Sequence, residues 1–246
     1  DALLSAAGWS SPRSSTRGVL RITPLSVPHG TPLGGRLGRR RERPHGTVVL
    51  VDNLDSFTHN IAHAIMQLGH DVHVLQGRGP KGPTDVEESV SRLLSAAPSH
   101  VLLGPGPGRP EEAKFSMRLA QMALQSHTPP LLGICLGHQA LGLAAGGRIV
   151  HDPHGPVHGR PVHVVHDGTG LFRDVSGRTT RMVRYNSLVV EGTVASGLQV
   201  NARSGHVTMG FRSTDGRVHG LQGHPESIGS EDGDRLLRTF LDAAHG

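Results

Sequence analysis

Leu131-Leu132-Gly133-Ile134-Cys135-Leu136-Gly137-His138-Gln139 reads as a strand that turns abruptly into a helix. A short apolar run led by Pro130 enters Cys135, and an Ala/Leu/Gly stretch leaves it. Glycines two residues before and two after a nucleophile-type side chain are the spacing of a nucleophile elbow, with cysteine replacing the usual serine. A Cβ at either flank would clash on so cramped a turn. The helix N-terminus just beyond favours negative charge and offers backbone N–H groups to an oxyanion. From the elbow alone two readings stand: a nucleophile, or a buried structural cysteine in a Gly-rich packing turn.

Upstream of the elbow, strands and helices alternate. Thr47-Val48-Val49-Leu50-Val51-Asp52 predicts a buried strand, with Asn53 and Asp55 as turn and cap residues. Phe57, Ile61, Ile65 and Leu68 recur with the period of an amphipathic helix, which Gly69 ends. Strands over 72–75, 100–103 and 131–134 and helices over 84–96 and 111–125 complete the pattern. Short connections between alternating strands and helices predict an α/β fold: a doubly wound, mostly parallel sheet with helices on both faces. From about 147 the pattern changes to short β segments at 160–166, 181–185, 197–202, 206–212 and 217–222, an antiparallel extension closed by a helix over 231–243. In open α/β sheets ligands bind beyond the carboxyl ends of the strands. Cys135 and the Gly104–Gly108 loop both lie at such ends and are expected to face each other.

Composition narrows the class further. The chain has 246 residues, 35% of them hydrophobic, with 34 glycines, which fits a compact, turn-rich α/β domain. One cysteine excludes an internal disulfide framework and fits a reducing compartment. No apolar run reaches membrane-spanning length. The net charge of +5 is concentrated in residues 1–46, where Arg13, Arg17, Arg21, Arg36, Arg39, Arg40, Arg41 and Arg43 face only Asp1 and Glu42. Beyond Thr47 the charges nearly cancel and aromatics are few, which argues against a nucleic-acid partner. Residues 1–46, rich in Ser, Pro, Gly and Arg, are read as a disordered basic linker or targeting remnant, and 47–246 as the folded domain. The opening Asp1 reads as a chain cut from something longer. A cytoplasmic location is expected, or the plastid stroma if 1–46 is the remnant of a transit peptide.

Three further segments carry chemistry. Gly104-Pro105-Gly106-Pro107-Gly108 follows a strand, and beside an elbow its rigid prolines and Cβ-free glycines can aim backbone N–H groups at a substrate oxyanion. Gly223-His224-Pro225-Glu226-Ser227 places an imidazole and a carboxylate two residues apart at a strand end. A thiol needs such a base, and the base an orienting carboxylate. With 18 histidines in the chain, proximity to a cysteine means little by itself. His59, His63, His151, His154, His158, His163 and His166 read as surface residues. Arg184-Tyr185-Asn186-Ser187-Leu188-Val189 reads from physics alone as a strand with a turn. The five histidines of 151–166 have no tidy zinc-ligand order, so no metal or other cofactor is expected.

Together these segments resemble the triad-type (class I) glutamine amidotransferases, more closely the small subunit or domain of anthranilate synthase and of aminodeoxychorismate synthase. The residues carrying the resemblance are Asp52–Thr58, Gly104–Gly108, Gly133–Gln139, Tyr185–Val190 and His224–Ile228, in the family's order over about 47–243. The resemblance implies the flavodoxin-like class I amidotransferase fold, with Cys135 as nucleophile, His224 as base and later acid, and Glu226 as orienter. It implies that the backbone of Gly106, Pro107, Gly108 and Leu136 holds the oxyanion. Gln139 and the main chain at Ser187 and Leu188 would hold glutamine.

The implied reaction is glutamine hydrolysis, with ammonia passed to a chorismate-binding synthase, separate or fused, for anthranilate or 4-amino-4-deoxychorismate. Asp167–Phe172 leans toward the second product. The alternatives are a non-catalytic scaffold subunit and a stand-alone γ-glutamyl hydrolase. Two positions depart from the family pattern: Gly223 stands where Phe is usual, and Asn186 where His is common.

Overall fold

The computed structural model describes residues 20–23, 46–79, 82–191 and 197–242. Its strands are β1 (Leu20–Thr23), β2 (Thr47–Asp52), β3 (Asp71–Gln76), β4 (His100–Leu103), β5 (Leu131–Ile134), β6 (Arg148–His151), β7 (Val157–His166), β8 (Thr179–Asn186), β9 (Leu188–Glu191), β10 (Leu198–Ser204), β11 (Val207–Ser213) and β12 (Val218–Leu221). The helices are α1 (Thr58–Gln67), α2 (Val86–Ser95), α3 (Lys114–Leu124), α4 (Leu136–Ala144) and α5 (Gly233–Asp242). None of them is long and apolar enough to cross a membrane.

A ten-stranded sheet runs in the order β1-β3-β2-β4-β5-β12-β11-β10-β7-β8. From β1 to β12 neighbouring strands pair in parallel, and from β12 to β8 they pair antiparallel. The parallel half is the expected doubly wound sheet, and the rest is its antiparallel extension. Its β3-β2-β4-β5 order is the flavodoxin-like one, with a crevice where the chain leaves β2 and β4 in opposite directions.

Side-chain alternation along the strands builds two cores. Val48 and Leu50 of β2 face Ile61 and Ile65 of α1 and Leu237 and Phe240 of α5. Val49 and Val51 face the other way, toward Leu93 of α2, Phe115 and Leu119 of α3, and Leu141 of α4. Both faces of β2 are therefore dry, which is why its sequence is a continuous apolar run rather than an alternation. Truncating such a residue, Leu50 for example, removes about 2–5 kcal/mol.

Several local expectations change. Helix 111–125 is split: Pro110–Glu112 forms a single 3-10 turn, and fully buried Ala113, at φ −87° and ψ 62°, separates it from α3. Asn53 is no turn residue at the surface; its buried amide donates to Gly104 O (2.9 Å) and accepts from Ser116 Oγ (2.8 Å). Asp52 serves the turn instead, accepting from Leu54 N (2.9 Å) and Thr58 Oγ1 (2.8 Å). Strands β6 and β9 were not anticipated; they pair antiparallel in a small separate sheet. Within the segment read as disordered, Leu20–Thr23 instead forms β1, a parallel edge partner of β3. Residues 1–19 and 24–45, and residue 243 at the end of the expected last helix, lie outside the described residues.

His166 is not a surface residue. It points inward from the end of β7, stacks on Phe172 (4.7 Å between ring centres), and accepts from Gly168 N at 3.2 Å through Nδ1. Burial, with Arg178 nearby, lowers its pKa.

Candidate active site

The elbow is built as strand β5, then Cys135, then α4. Cys135 is the helix N-cap at φ 53° and ψ −101°, a conformation that costs a non-glycine residue about 1–3 kcal/mol. Two close approaches explain its glycine neighbours. A Cβ on Gly133 would strike Gly137 O, and one on Gly137 would strike Leu103 O of β4. The turn is clamped from the neighbouring strand by Cys135 N donating to Leu221 O (2.8 Å). Cys135 is 7% exposed.

The Gly104–Gly108 loop meets the elbow as expected. Gly106 lies so close that a Cβ there would come within 2.9 Å of Leu136 Cδ2 and 2.6 Å of Asn53 O. Pro107 is pinned from outside by Arg78, whose guanidinium donates to Pro107 O (2.7 Å) and pairs with Glu112 (3.0 Å). Gly108 sits at φ +75°. Leu136 opens α4, where a backbone N–H has no intrahelical acceptor. The Gly106 backbone thus packs against the Leu136 side chain, one residue beyond Cys135.

His224 follows β12 and is fixed by long-range contacts. Its N–H donates to Val183 O (3.0 Å), and its carbonyl accepts from Ser230 Oγ (2.6 Å). The ring bonds Glu226 Oε1 through Nδ1 at 2.6 Å, with both side chains almost fully buried. Since Nδ1 is taken by Glu226, Nε2 is the nitrogen left for the Cys135 thiol. Burial pushes the imidazole pKa down, but Cys135 and Glu226 push it up further, to about 10. The sulfur acts on the ring although Nε2 has no partner within hydrogen-bond geometry, a looseness common to nucleophile–base pairs. The raised pKa favours the imidazolium, the state in which the fully buried Glu226 side chain is compensated. Phe57 and Tyr185 frame it edge-on, with ring centres 5.6 and 5.0 Å away.

Gln139, one turn into α4, donates from Nε2 to Leu188 O (2.8 Å). Asn186 Nδ2 donates to the same carbonyl (2.8 Å). Behind Asn186 runs a buried chain that sequence reading missed. Arg184 Nε donates to Asn186 Oδ1 (3.1 Å), and Arg184 Nη2 pairs with Asp152 (2.8 Å). Asp152 also takes a bond from His206 Nε2 (2.9 Å). Asp152 stands in a Pro/Gly/His stretch with no local pattern to mark it. Ser187 adds a main-chain anchor by accepting from Asp152 N (2.8 Å). The two departures are thereby accommodated: Asn186 joins this chain, and Met182 occupies the space beside Gly223, where a Cβ would strike Met182 Cγ and Sδ. No group of three or more His, Cys, Asp or Glu placed to share a metal ion occurs among the described residues.

A strained thiol, a His–Glu pair and a converging backbone loop are the parts needed to attack an amide carbonyl and protonate its leaving group. Comparison with known proteins places the chain in a family. The chain is 39% identical to anthranilate synthase component 2 of Thermus thermophilus, over 85% of this chain and 96% of that one. It is 39% identical to aminodeoxychorismate synthase of Streptomyces griseus and 36% identical to the bifunctional protein TrpGD of Thermotoga maritima, each over 79% of this chain. It spans only 25% and 32% of those two longer proteins. A solved glutamine amidotransferase of Thermotoga maritima shares the fold, at TM-score 0.60 and 18% identity, covering 81% of this chain and 98% of that one. The family model for glutamine amidotransferase class-I matches residues 49–244, and the chain belongs to that family.

Proposed function

We propose that residues 47–246 hydrolyse glutamine to glutamate and ammonia and deliver the ammonia to a chorismate-using synthase, separate or fused. The observation that carries the reading is the buried His224–Glu226 pair, at 2.6 Å, acting on a cysteine held in left-handed backbone. The Cys135 thiolate, whose proton His224 as base has taken on Nε2, attacks the carboxamide carbon, forming a tetrahedral oxyanion that the backbone of Gly106–Gly108 and the Leu136 N–H receive. His224 donates its Nε2 proton to the departing nitrogen; the C–N bond breaks, leaving a γ-glutamyl thioester and ammonia. Neutral His224 then takes a proton from water, whose oxygen attacks the thioester and releases glutamate. Gln139 with the main chain of Ser187 and Leu188 holds the substrate. Covalent catalysis divides one difficult amide cleavage into two easier steps.

The chorismate-using partner is supported by the named relatives, which include an anthranilate synthase component and an aminodeoxychorismate synthase. Anthranilate and 4-amino-4-deoxychorismate are both products of such a pairing. A reducing compartment, cytoplasm or stroma, suits the single thiol. The test is glutamine hydrolysis with and without a chorismate-binding synthase, compared with Cys135→Ser. The synthase is expected to stimulate hydrolysis, and the variant to lose about 10³-fold or more. Undiminished hydrolysis by Cys135→Ser overturns the nucleophile; hydrolysis indifferent to every synthase favours a stand-alone hydrolase.

A further inference from the structure

A cavity of about 140 Å³ opens between the Gly170–Asp174 turn, the β11–β12 hairpin and α5, with Arg173, Arg212, His219 and Thr239 among its lining. It belongs to the amino end of β12. His219 pairs with Leu132 of β5, and Cys135 lies three residues further along, about 10 Å at strand rise. The chemistry around Cys135 makes no use of it.

Its polar groups are only partly satisfied. Arg173 pairs with Asp174 (3.3 Å). Arg212 donates to Thr169 Oγ1 (2.9 Å) and Ser213 O (3.3 Å), with no carboxylate in ion-pair reach among the described residues. His219 is 4% exposed. Its Nε2 lies 3.0 Å from Gly216 O, and a carbonyl only accepts, so Nε2 carries the hydrogen and Nδ1 is a bare lone pair. That Nδ1 is buried without a partner, and a buried acceptor left unmet favours any ligand that supplies a donor. Burial, together with Arg212 and Arg173, outweighs Asp215 and the Gly216 carbonyl and keeps the ring neutral, with a pKa of about 4.

Arg212 without a carboxylate, the partly engaged Arg173 and an unpartnered acceptor call for a ligand with negative charge and a hydrogen-bond donor in one small group. Hydrogenphosphate has both. Sulfate brings the charge without the proton, and so does a phosphomonoester dianion. The space is several times the ~30 Å³ share of one water, enough for a tetrahedral anion. We propose that this cavity binds inorganic hydrogenphosphate, with anionic oxygens on Arg212 and Arg173 and its P–O–H donating to His219 Nδ1.

The test follows the His219 ring by NMR in the full chain at pH 7.5 and constant ionic strength, titrating inorganic phosphate, sulfate and methyl phosphate in turn. A saturable phosphate-induced shift is expected at His219, with sulfate and methyl phosphate at least about tenfold weaker. Arg212→Gln is expected to weaken phosphate about tenfold or more while glutamine hydrolysis stays at the wild-type rate. If that variant does not fold, the contrast between phosphate and sulfate in the wild type decides. The proposal falls if phosphate gives no saturable shift, if sulfate binds equally well, or if folded Arg212→Gln binds phosphate as tightly as the wild type.

Discussion

Cys135 and His224 are placed by different kinds of information. The cysteine is set by neighbours in sequence: β5 leads in, α4 leads out, and Gly133 and Gly137 remove the atoms that would forbid the turn. The imidazole is set by distant partners: Val183 on its backbone, Ser230 on its carbonyl, Phe57 and Tyr185 at its ring. Under the proposed mechanism, the parallel half of the sheet thus supplies a rigid, locally encoded nucleophile, and the antiparallel half anchors a base that exists only once the whole domain has folded. Damage to the first half is expected to read out as lost fold and activity together, and damage to the second as lost chemistry on an intact fold.

The strongest way to sharpen that contrast is Glu226→Gln. It keeps the shape but withdraws the charge that helps hold the His224 proton. Hydrolysis is expected to fall about 10²–10⁴-fold. The alkaline limb of the rate, which needs His224 protonated and is expected near pH 10 in the wild type, should move down in the variant. A pH–rate profile of the two proteins with an unmoved limb would break the assignment.

Gly137→Ala attacks the local half. Its new methyl meets the Leu103 carbonyl, and about 3 kcal/mol of stability should be lost. Calorimetry should show this as a fall in Tm of roughly 6–12 °C, together with lost activity. A stable but inactive Gly137→Ala would mean that the elbow is less rigid than its contacts imply.

Histidines divide the same way under acid and base. His138 and His219 are buried and held neutral, with pKa values of about 3 and about 4. The unfolded chain binds protons on them near pH 6.5 while the fold refuses them. Their stability is therefore intact above 6.5 and lost as pH falls through that value toward 4 and 3, by about 2 kcal/mol for each ring at pH 5. His224 is raised, so its contribution is intact below 6.5 and lost as pH climbs through about 10. Denaturant midpoints measured from pH 4 to 10 should form a dome; a flat acid side would refute the neutral buried rings.

The smallest effect concerns Gly223. Gly223→Phe should cost about 1–3 kcal/mol because Met182 fills the space. The double variant with Met182→Ala should recover most of the loss. A double-mutant cycle with no coupling would show that Met182 is not what makes glycine necessary there.

These differences also explain what could be read before folding. Thr47–Asp52, His100–Leu103 and Leu131–Ile134 are short apolar runs bounded by turn residues, and they occur as strands at those bounds. His224 and Glu226, named from spacing and family likeness, are bonded at 2.6 Å, and Cys135 is close enough to raise the ring's pKa. What escaped depends on partners far along the chain. β6 and β9 have four residues each and exist by pairing with one another. β1 depends on β3, Ala113 breaks a helical pattern from inside the core, and His166 turns inward onto Phe172. Asp152 joins the site only because Arg184 needs a buried counter-charge. None of these has a local period to reveal it.

Cys135 is the single thiol of the chain. No internal disulfide can shield it, and no second cysteine can consume a thiol reagent in its place. One equivalent of an alkylating agent therefore titrates the chain, and its rate of uptake times the opening of the structure around a residue only 7% exposed. If Cys135 is the nucleophile proposed above, oxidation of that atom to a sulfenic acid stops hydrolysis, and no second cysteine among these 246 residues can resolve it.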